Sequence, residues 1–200
     1  MTEQQPVFRN SNEAVLQVNG DTNEPLAPPH NSVSRRLMRG ENLWHRASYV
    51  FVETIDGKFV VQQRTASKEY CPNYFAPATG GVMAPDETNE LNAQRELAEE
   101  IGVERSLEEM VLLDQFRYQD DKTSVWGNVF YVKLVKGDPP LTLQKEEVAS
   151  VEFWDKEMME KLISLQEDRG VENVDKKITP DGIVAFRVLL QGISKQVPDK

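Results

Sequence analysis

The sequence predicts an α+β fold, an α-β-α sandwich in which a mixed β-sheet lies between flanking helices. Three observations carry this reading. Runs rich in Val, Phe and Tyr, such as Tyr49–Thr54 and Val125–Leu134, have strand character. They alternate with stretches of helical length at 87–101, 155–166 and 181–194. The alternation follows no regular β-α-β repeat, which points to a mixed sheet rather than a parallel one.

Taken in order, residues 1–11 are polar and read as a disordered tail. Residues 12–195 form one domain, with 12–44 an N-terminal extension and 45–195 the core. Ala14–Val18 is a short strand, and Asn19-Gly20-Asp21 is a turn. Leu26–His30, with its prolines, is an extended linker. Ser32-Val33-Ser34 starts a helix over 33–40 that stops at Gly40. Tyr49–Thr54 and Lys58–Arg64 pair as a hairpin about Asp56-Gly57. Thr65–Pro85 is a long connection broken by Pro and Gly, of the kind that is usually functional. Helix 87–101 takes Asp86 as N-cap and Gly102 as its left-handed stop. Val111–Tyr118 and Val125–Leu134 make a second antiparallel pair about 119–122. Val148–Trp154 is a strand, Asp155 caps a helix to about 166, and 181–194 is the last helix.

The net charge of −10 argues against a nucleic-acid or membrane-surface partner, and leaves a small-molecule substrate as the expected one. It does not exclude phosphates, because bound metal ions invert local charge. Cys71 is the single cysteine, so no internal disulfide forms. No apolar run has the length of a membrane span, and Met1–Asn10 lacks a signal pattern, so a cytoplasmic location is expected. Monomer and homodimer both stay open.

The 87–101 helix concentrates the chemistry. On a wheel of about 100° per residue, Leu91, Leu97, Ala98 and Ile101 share an arc, the expected core face. Glu96, Glu99 and Glu100 share the opposite, solvent-facing arc. Like charges so spaced repel by about a few tenths of a kcal/mol per pair, a cost that a divalent cation would offset. Glu96 and Glu100 are i,i+4 neighbours and can ligate one hard cation, with Glu99 serving a second ion or a water. A solvated acidic face is the commoner explanation for three glutamates on a helix.

The surrounding residues shift that balance. Gly81, Glu87, Arg95-Glu96-Leu97, Glu99-Glu100 and Gly102-Val103 stand at the spacing of the complete Nudix box, so the chain resembles the Nudix hydrolase family. The resemblance implies the Nudix fold and hydrolysis of a diphosphate linkage, in a nucleoside diphosphate derivative or another organic pyrophosphate. It implies Glu96 and Glu100 as ligands of Mg2+ or Mn2+, and Glu99 as ligand or water-activating base. Gly80 and Gly81 allow a backbone closed to other residues and bring carbonyls near the ions. Arg95 can pair with Glu87 and fix the loop against the helix.

Leu43–Ala47, Val61–Arg64, Thr65 and Lys68 resemble the branch related to isopentenyl-diphosphate isomerase. That chemistry needs a Cys and further His and acidic ligands. Their places fall on Gly80, Val82, Met38, Trp126 and Asn128, and only His45 is present. The hydrolase reading is therefore preferred over an isomerase, and also over a catalytically weak nucleotide-sensing module. Weaker candidates are Glu146 or Glu147 as a distant ligand or base, and Arg64, then Arg46, for a substrate phosphate. His45 is weighed as ligand against structural histidine, Trp126 and Tyr74 as stacking against core residues. His30 reads as a bystander and Cys71 as an ordinary thiol.

Overall fold

The computed structural model describes residues 12–196 of the 200-residue chain, so the tail expected over 1–11 lies outside the described residues. The elements are β1 (Ala14–Leu16), β2 (Ser32–Ser34), α1 (Arg35–Gly40), β3 (Trp44–Glu53), β4 (Phe59–Arg64) and β5 (Phe75–Ala76). They continue with α2 (Asn89–Ile101), β6 (Val111–Gln119), β7 (Ser124–Lys133), β8 (Val148–Trp154), α3 (Lys156–Arg169) and α4 (Pro180–Gln196). The six-stranded sheet runs β5-β4-β3-β7-β6, with β8 on β4. β3 and β7 are parallel, and the other pairings are antiparallel, so the sheet is mixed as the sequence predicts.

The alternation of side chains along β3 and β7 sorts the core into two layers. Phe51, Val129 and Tyr131 face α3 and α4, meeting Met159, Ile163, Phe186 and Leu189. Val50, Val52, Phe130 and Val132 face the other way, onto Ala93, Leu97 and Ile101 of α2. β7 is apolar on both faces because it is covered on both. Among the described residues no helix is long and apolar enough to cross a membrane.

One irregularity positions the site. β4 meets β3 only at Glu53↔Phe59, beside the turn, and then diverges to pair with β8 and β5. The gap beside β3 is filled by the segment Thr79–Met83, which bridges at Val50↔Thr79 and Ala47↔Val82. The β1–β2 pair and α1 pack on the far end of that segment. Val15 and Met38 enclose Val82, while Leu16 and Val18 enclose Met83.

Several boundaries differ from the sequence reading. Ser32–Ser34 is strand β2, and α1 starts at Arg35 with Ser34 as N-cap. β3 begins at Trp44, because Trp44–Ser48 ladders with Ser124–Asn128 of β7, a pairing invisible to local pattern. The long connection contains β5. α2 starts at Asn89 with Thr88, not Asp86, as cap; the Thr88 hydroxyl accepts from the Leu91 N–H at 3.2 Å. Gly102, at φ 71°, ends α2 in the left-handed conformation as expected.

Candidate active site

The Gly80-Gly81 loop threads between β3 and α2. A Cβ on Gly80 would overlap the Ser48 carbonyl, and a Cβ on Gly81 would overlap the Glu96 carboxylate. Ser48 N–H donates to the Gly81 carbonyl at 3.1 Å, which holds the loop to β3. On the helix side the Gly80 N–H donates to Glu100 Oε2 at 3.0 Å.

Glu100 is 2 % exposed. Its Oε2 also accepts from Gln62 Nε2 at 2.8 Å and from Thr79 Oγ1 at 2.5 Å. Lys68 Nζ lies 3.5 Å from its Oε1. Burial alone would raise the carboxyl's pKa, but the Lys68 charge and the three donors reverse that and hold it below the ordinary range. Glu96 is fully buried against Gly81. Glu99, 44 % exposed at its side chain, is the outermost of the three.

Arg95 ties these groups together. Its Nε and Nη2 bind the two oxygens of Glu87 at 2.6 and 3.2 Å, a bidentate pair. Its Nη1 reaches Glu96 at 2.8 Å and Glu99 at 3.1 Å. Burial opposes the guanidinium charge, yet these three carboxylates raise its pKa above the usual value. Glu87 in turn accepts from the Ala84 N–H and from Asn92 Nδ2, both at 2.9 Å, so the loop is locked to the helix at two points.

The expected solvent-facing stripe of glutamates is corrected here. Glu96 and Glu100 point inward beside Asn92 and Ala93, whereas Leu91 is 46 % exposed and Ala98 only half-buried. A wheel sorts residues by polarity and cannot register that Arg95, Lys68, Gln62 and Thr79 satisfy buried carboxylates. Nor do the carboxylates form a ready cage: among the described residues no three acidic, His or Cys groups converge on one ion position. The carboxylates instead engage Arg95 and Lys68. The donor chemistry nonetheless suits a hard divalent cation, being carboxylate and carbonyl oxygen throughout. The Lys68 ammonium already stands between Glu100 and Glu147, in ion pairs with both.

The weaker candidates separate clearly. Glu147 is buried and paired with Lys68. Glu146 is exposed, and its backbone carbonyl accepts from Thr65 Oγ1 at 2.9 Å and Ser67 Oγ at 3.3 Å. Arg64 lines a cavity beside Gly80, while Arg46 binds Asn23 instead. Trp126 Nε1 donates to the Gly20 carbonyl at 3.0 Å, so the ring is committed to the N-terminal turn. Tyr74 is half-buried under Lys177, and His30 is exposed. Burial pushes the Cys71 thiol up to about 11. Sequence reasoning missed Gln62, Asn92 and the ionic role of Lys68. Asn92 accepts from Ser48 Oγ at 2.7 Å and donates to the Val82 carbonyl at 3.2 Å, stitching helix to loop. A polar residue inside an apolar strand or on a helix's inner face was the available signal.

His45 is structural. It is 2 % exposed, with Nδ1 3.0 Å from the Leu43 carbonyl. Burial, then the Arg39 charge, drives its pKa down to about 3. It is neutral in the folded chain and protonated in the unfolded chain below about 6.5. Its contribution is therefore complete above that pH and lost as pH falls toward 3, by up to about 1.4 kcal/mol per pH unit. Urea unfolding of the parent should show a midpoint that declines between pH 6.5 and 5, and His45→Gln should flatten that decline. Parallel curves would mean that His45 titrates normally in the fold.

Comparison with known proteins bears on the family and the fold. The family model described as NUDIX domain matches residues 43–179. The chain is 36 % identical over 131 residues to the Nudix hydrolase YfcD of Escherichia coli, covering 66 % of this chain and 68 % of that one. The crystal structure of DR0079 from Deinococcus radiodurans superposes with a TM-score of 0.66 at 19 % identity, covering 88 % of this chain and 99 % of that one. A bifunctional NMN adenylyltransferase/ADP ribose pyrophosphatase from Francisella tularensis, complexed with AMP and a Mn ion, has a TM-score of 0.53 at 17 % identity. That match covers 73 % of this chain and 41 % of the other, and shares the fold.

Proposed function

The chain belongs to the Nudix family, and we propose that it is a metal-dependent hydrolase of a diphosphate linkage in a nucleoside diphosphate derivative or another organic pyrophosphate. The observation that carries this reading is the burial of Glu96 and Glu100 directly against Gly81 and Gly80, beside a cavity lined by basic groups. A divalent cation, Mg2+ or Mn2+, held by Glu96, Glu99 and Glu100 with the Gly80 carbonyl and Glu147, would neutralise the diphosphate and acidify a bound water. Glu100 is kept ionised by Lys68, Thr79, Gln62 and the Gly80 N–H, so it stays anionic through the working pH range. Arg95 fixes the orientation of Glu96 and Glu99 from one guanidinium. Glu99, the exposed member, takes the proton from the attacking water. The water oxygen bonds to phosphorus as the bridging P–O bond breaks, leaving two monophosphate-bearing products.

Chromatographic detection of the monophosphate products from a diphosphate panel that includes ADP-ribose and isopentenyl diphosphate tests the reading. Turnover should require Mg2+ or Mn2+, fall at least about 100-fold in excess EDTA, and return when the metal is restored. Conversion of isopentenyl diphosphate without phosphate release would mark an isomerase. Binding without turnover would mark a sensor.

A further inference from the structure

Next to the Gly80-Gly81 loop lies a cavity of about 70 Å³, enough for about five waters. Its walls come from four separate parts of the chain: α1, β3, the end of β4 with the segment after it, and the start of α4. Four basic residues line it, Arg35, Arg39, Arg64 and Lys68, against Asp181. Two of the four are neutralised. Arg35 pairs with Glu13 and Glu69, both at 3.5 Å, and Lys68 pairs with Glu100 and Glu147. Asp181 is engaged by the Tyr49 hydroxyl at 2.7 Å.

Arg39 and Arg64 are left with an excess of positive charge. Neither makes a salt bridge among the described residues. Arg64 is anchored through Nε and Nη2 on the Tyr70 carbonyl, at 3.1 and 2.8 Å. Arg39 donates from Nη1 to Thr123 Oγ1 at 3.2 Å, and its Nε is buried with no hydrogen-bond partner. A buried guanidinium N–H left unmatched costs free energy unless a ligand accepts from it. Burial and the charges of Arg35 and Arg64 together lower the Arg39 pKa to about 10, a repulsion that a bound anion would relieve. α1 lies outside the residues matched by the family model, so Arg39 is contributed by the N-terminal extension.

We propose that Arg39 and Arg64 bind the terminal phosphoryl group of the substrate, and that the preferred substrates are therefore organic diphosphates ending in a free phosphate. This rests on the hydrolase reading above and narrows it. The cavity is small and its lining is rich in guanidinium N–H donors, which suits a phosphoryl group better than a sugar or base, so a diphosphate substituted at both ends should seat one end there less well. The bidentate guanidinium matches a phosphoryl group with several free oxygens better than one esterified on both sides.

Calorimetric titration with inorganic pyrophosphate in EDTA isolates binding from turnover. The parent should bind, and Arg39→Gln should weaken binding at least about tenfold. Arg39→Lys should fall between them. Arg36→Gln, on the exposed side of α1, should stay within twofold of the parent. If Arg39→Gln fails to fold, phenylglyoxal modification of the parent decides the same point: pyrophosphate should protect Arg39 and Arg64 but not Arg36. Binding by Arg39→Gln within twofold of the parent, or no protection of Arg39, overturns the proposal. With Mg2+, kcat/KM should favour terminal diphosphates over ADP-ribose at least about tenfold, and Arg39→Gln should erase the preference. Hydrolysis of both classes at equal rates, with Arg39 unprotected, would keep the hydrolase and refute the pocket. Arg39-dependent pyrophosphate binding with no turnover of any panel member would keep the pocket and refute the hydrolase.

Discussion

Glu99→Gln should lower kcat by about two to four orders of magnitude while leaving the urea midpoint within experimental scatter of the parent. Its side chain is 44 % exposed and its ion pair with Arg95 is one of that guanidinium's several, so little stability is at stake. Glu100→Gln should cost a similar factor in kcat and, in addition, about 1–3 kcal/mol of stability. The amide can keep one oxygen toward Gln62, Thr79 and the Gly80 N–H, but its NH2 then faces the Lys68 ammonium, donor against donor. Steady-state kinetics and denaturation on both variants separate the two roles. A Glu99→Gln enzyme and a Glu100→Gln enzyme that both keep near-parental kcat would remove the helix from the chemistry.

The contrast between these two glutamates shows what the sequence conveys. Features set within one element were legible: the Asp56-Gly57 turn, the left-handed stop at Gly102, and the glycine-to-glutamate spacing that put Gly81 against Glu96. The inward turn of Glu96 and Glu100 was not. Their partners Lys68, Gln62 and Thr79 come from β4 and the loop beyond it, and no helical period encodes an acceptor's distant donors. The cap falls on Thr88 rather than Asp86 for a related reason. Asp86, Glu87 and Thr88 are all polar, and the carboxylate of Glu87 is drawn to Arg95, Ala84 and Asn92, which leaves Thr88 to cap α2. The basic cavity was the least legible feature, because Arg39, Arg64 and Asp181 meet only once α1, β4 and α4 are all in place. Arg64 ends β4, where the long loop begins, and nothing local points to Arg39.

Gly80→Ala should be the most disruptive small substitution in the chain. Gly80 sits at φ +148°, a region that L side chains rarely adopt, and its added methyl would overlap the Ser48 carbonyl, which is backbone of the central strand. Neither wall can yield: β3 is fixed by its ladder with β7, and the Gly80 N–H is committed to Glu100. Backbone strain and overpacking together should cost about 3 kcal/mol or more, read as a lower urea midpoint at unchanged m-value. Gly81→Ala differs in kind. Its methyl would meet the end of the Glu96 side chain rather than backbone, so the carboxylate can swing aside at a smaller stability cost. That movement breaks the contact with Arg95 Nη1 and displaces a candidate metal ligand, so kcat should fall at least about 100-fold while the fold survives. Gly80→Ala should therefore lose stability first and Gly81→Ala should lose activity first. A Gly80→Ala variant with the parental midpoint would mean that the loop does not pass between β3 and α2 as described, and the placement of every glutamate against it would fail with it.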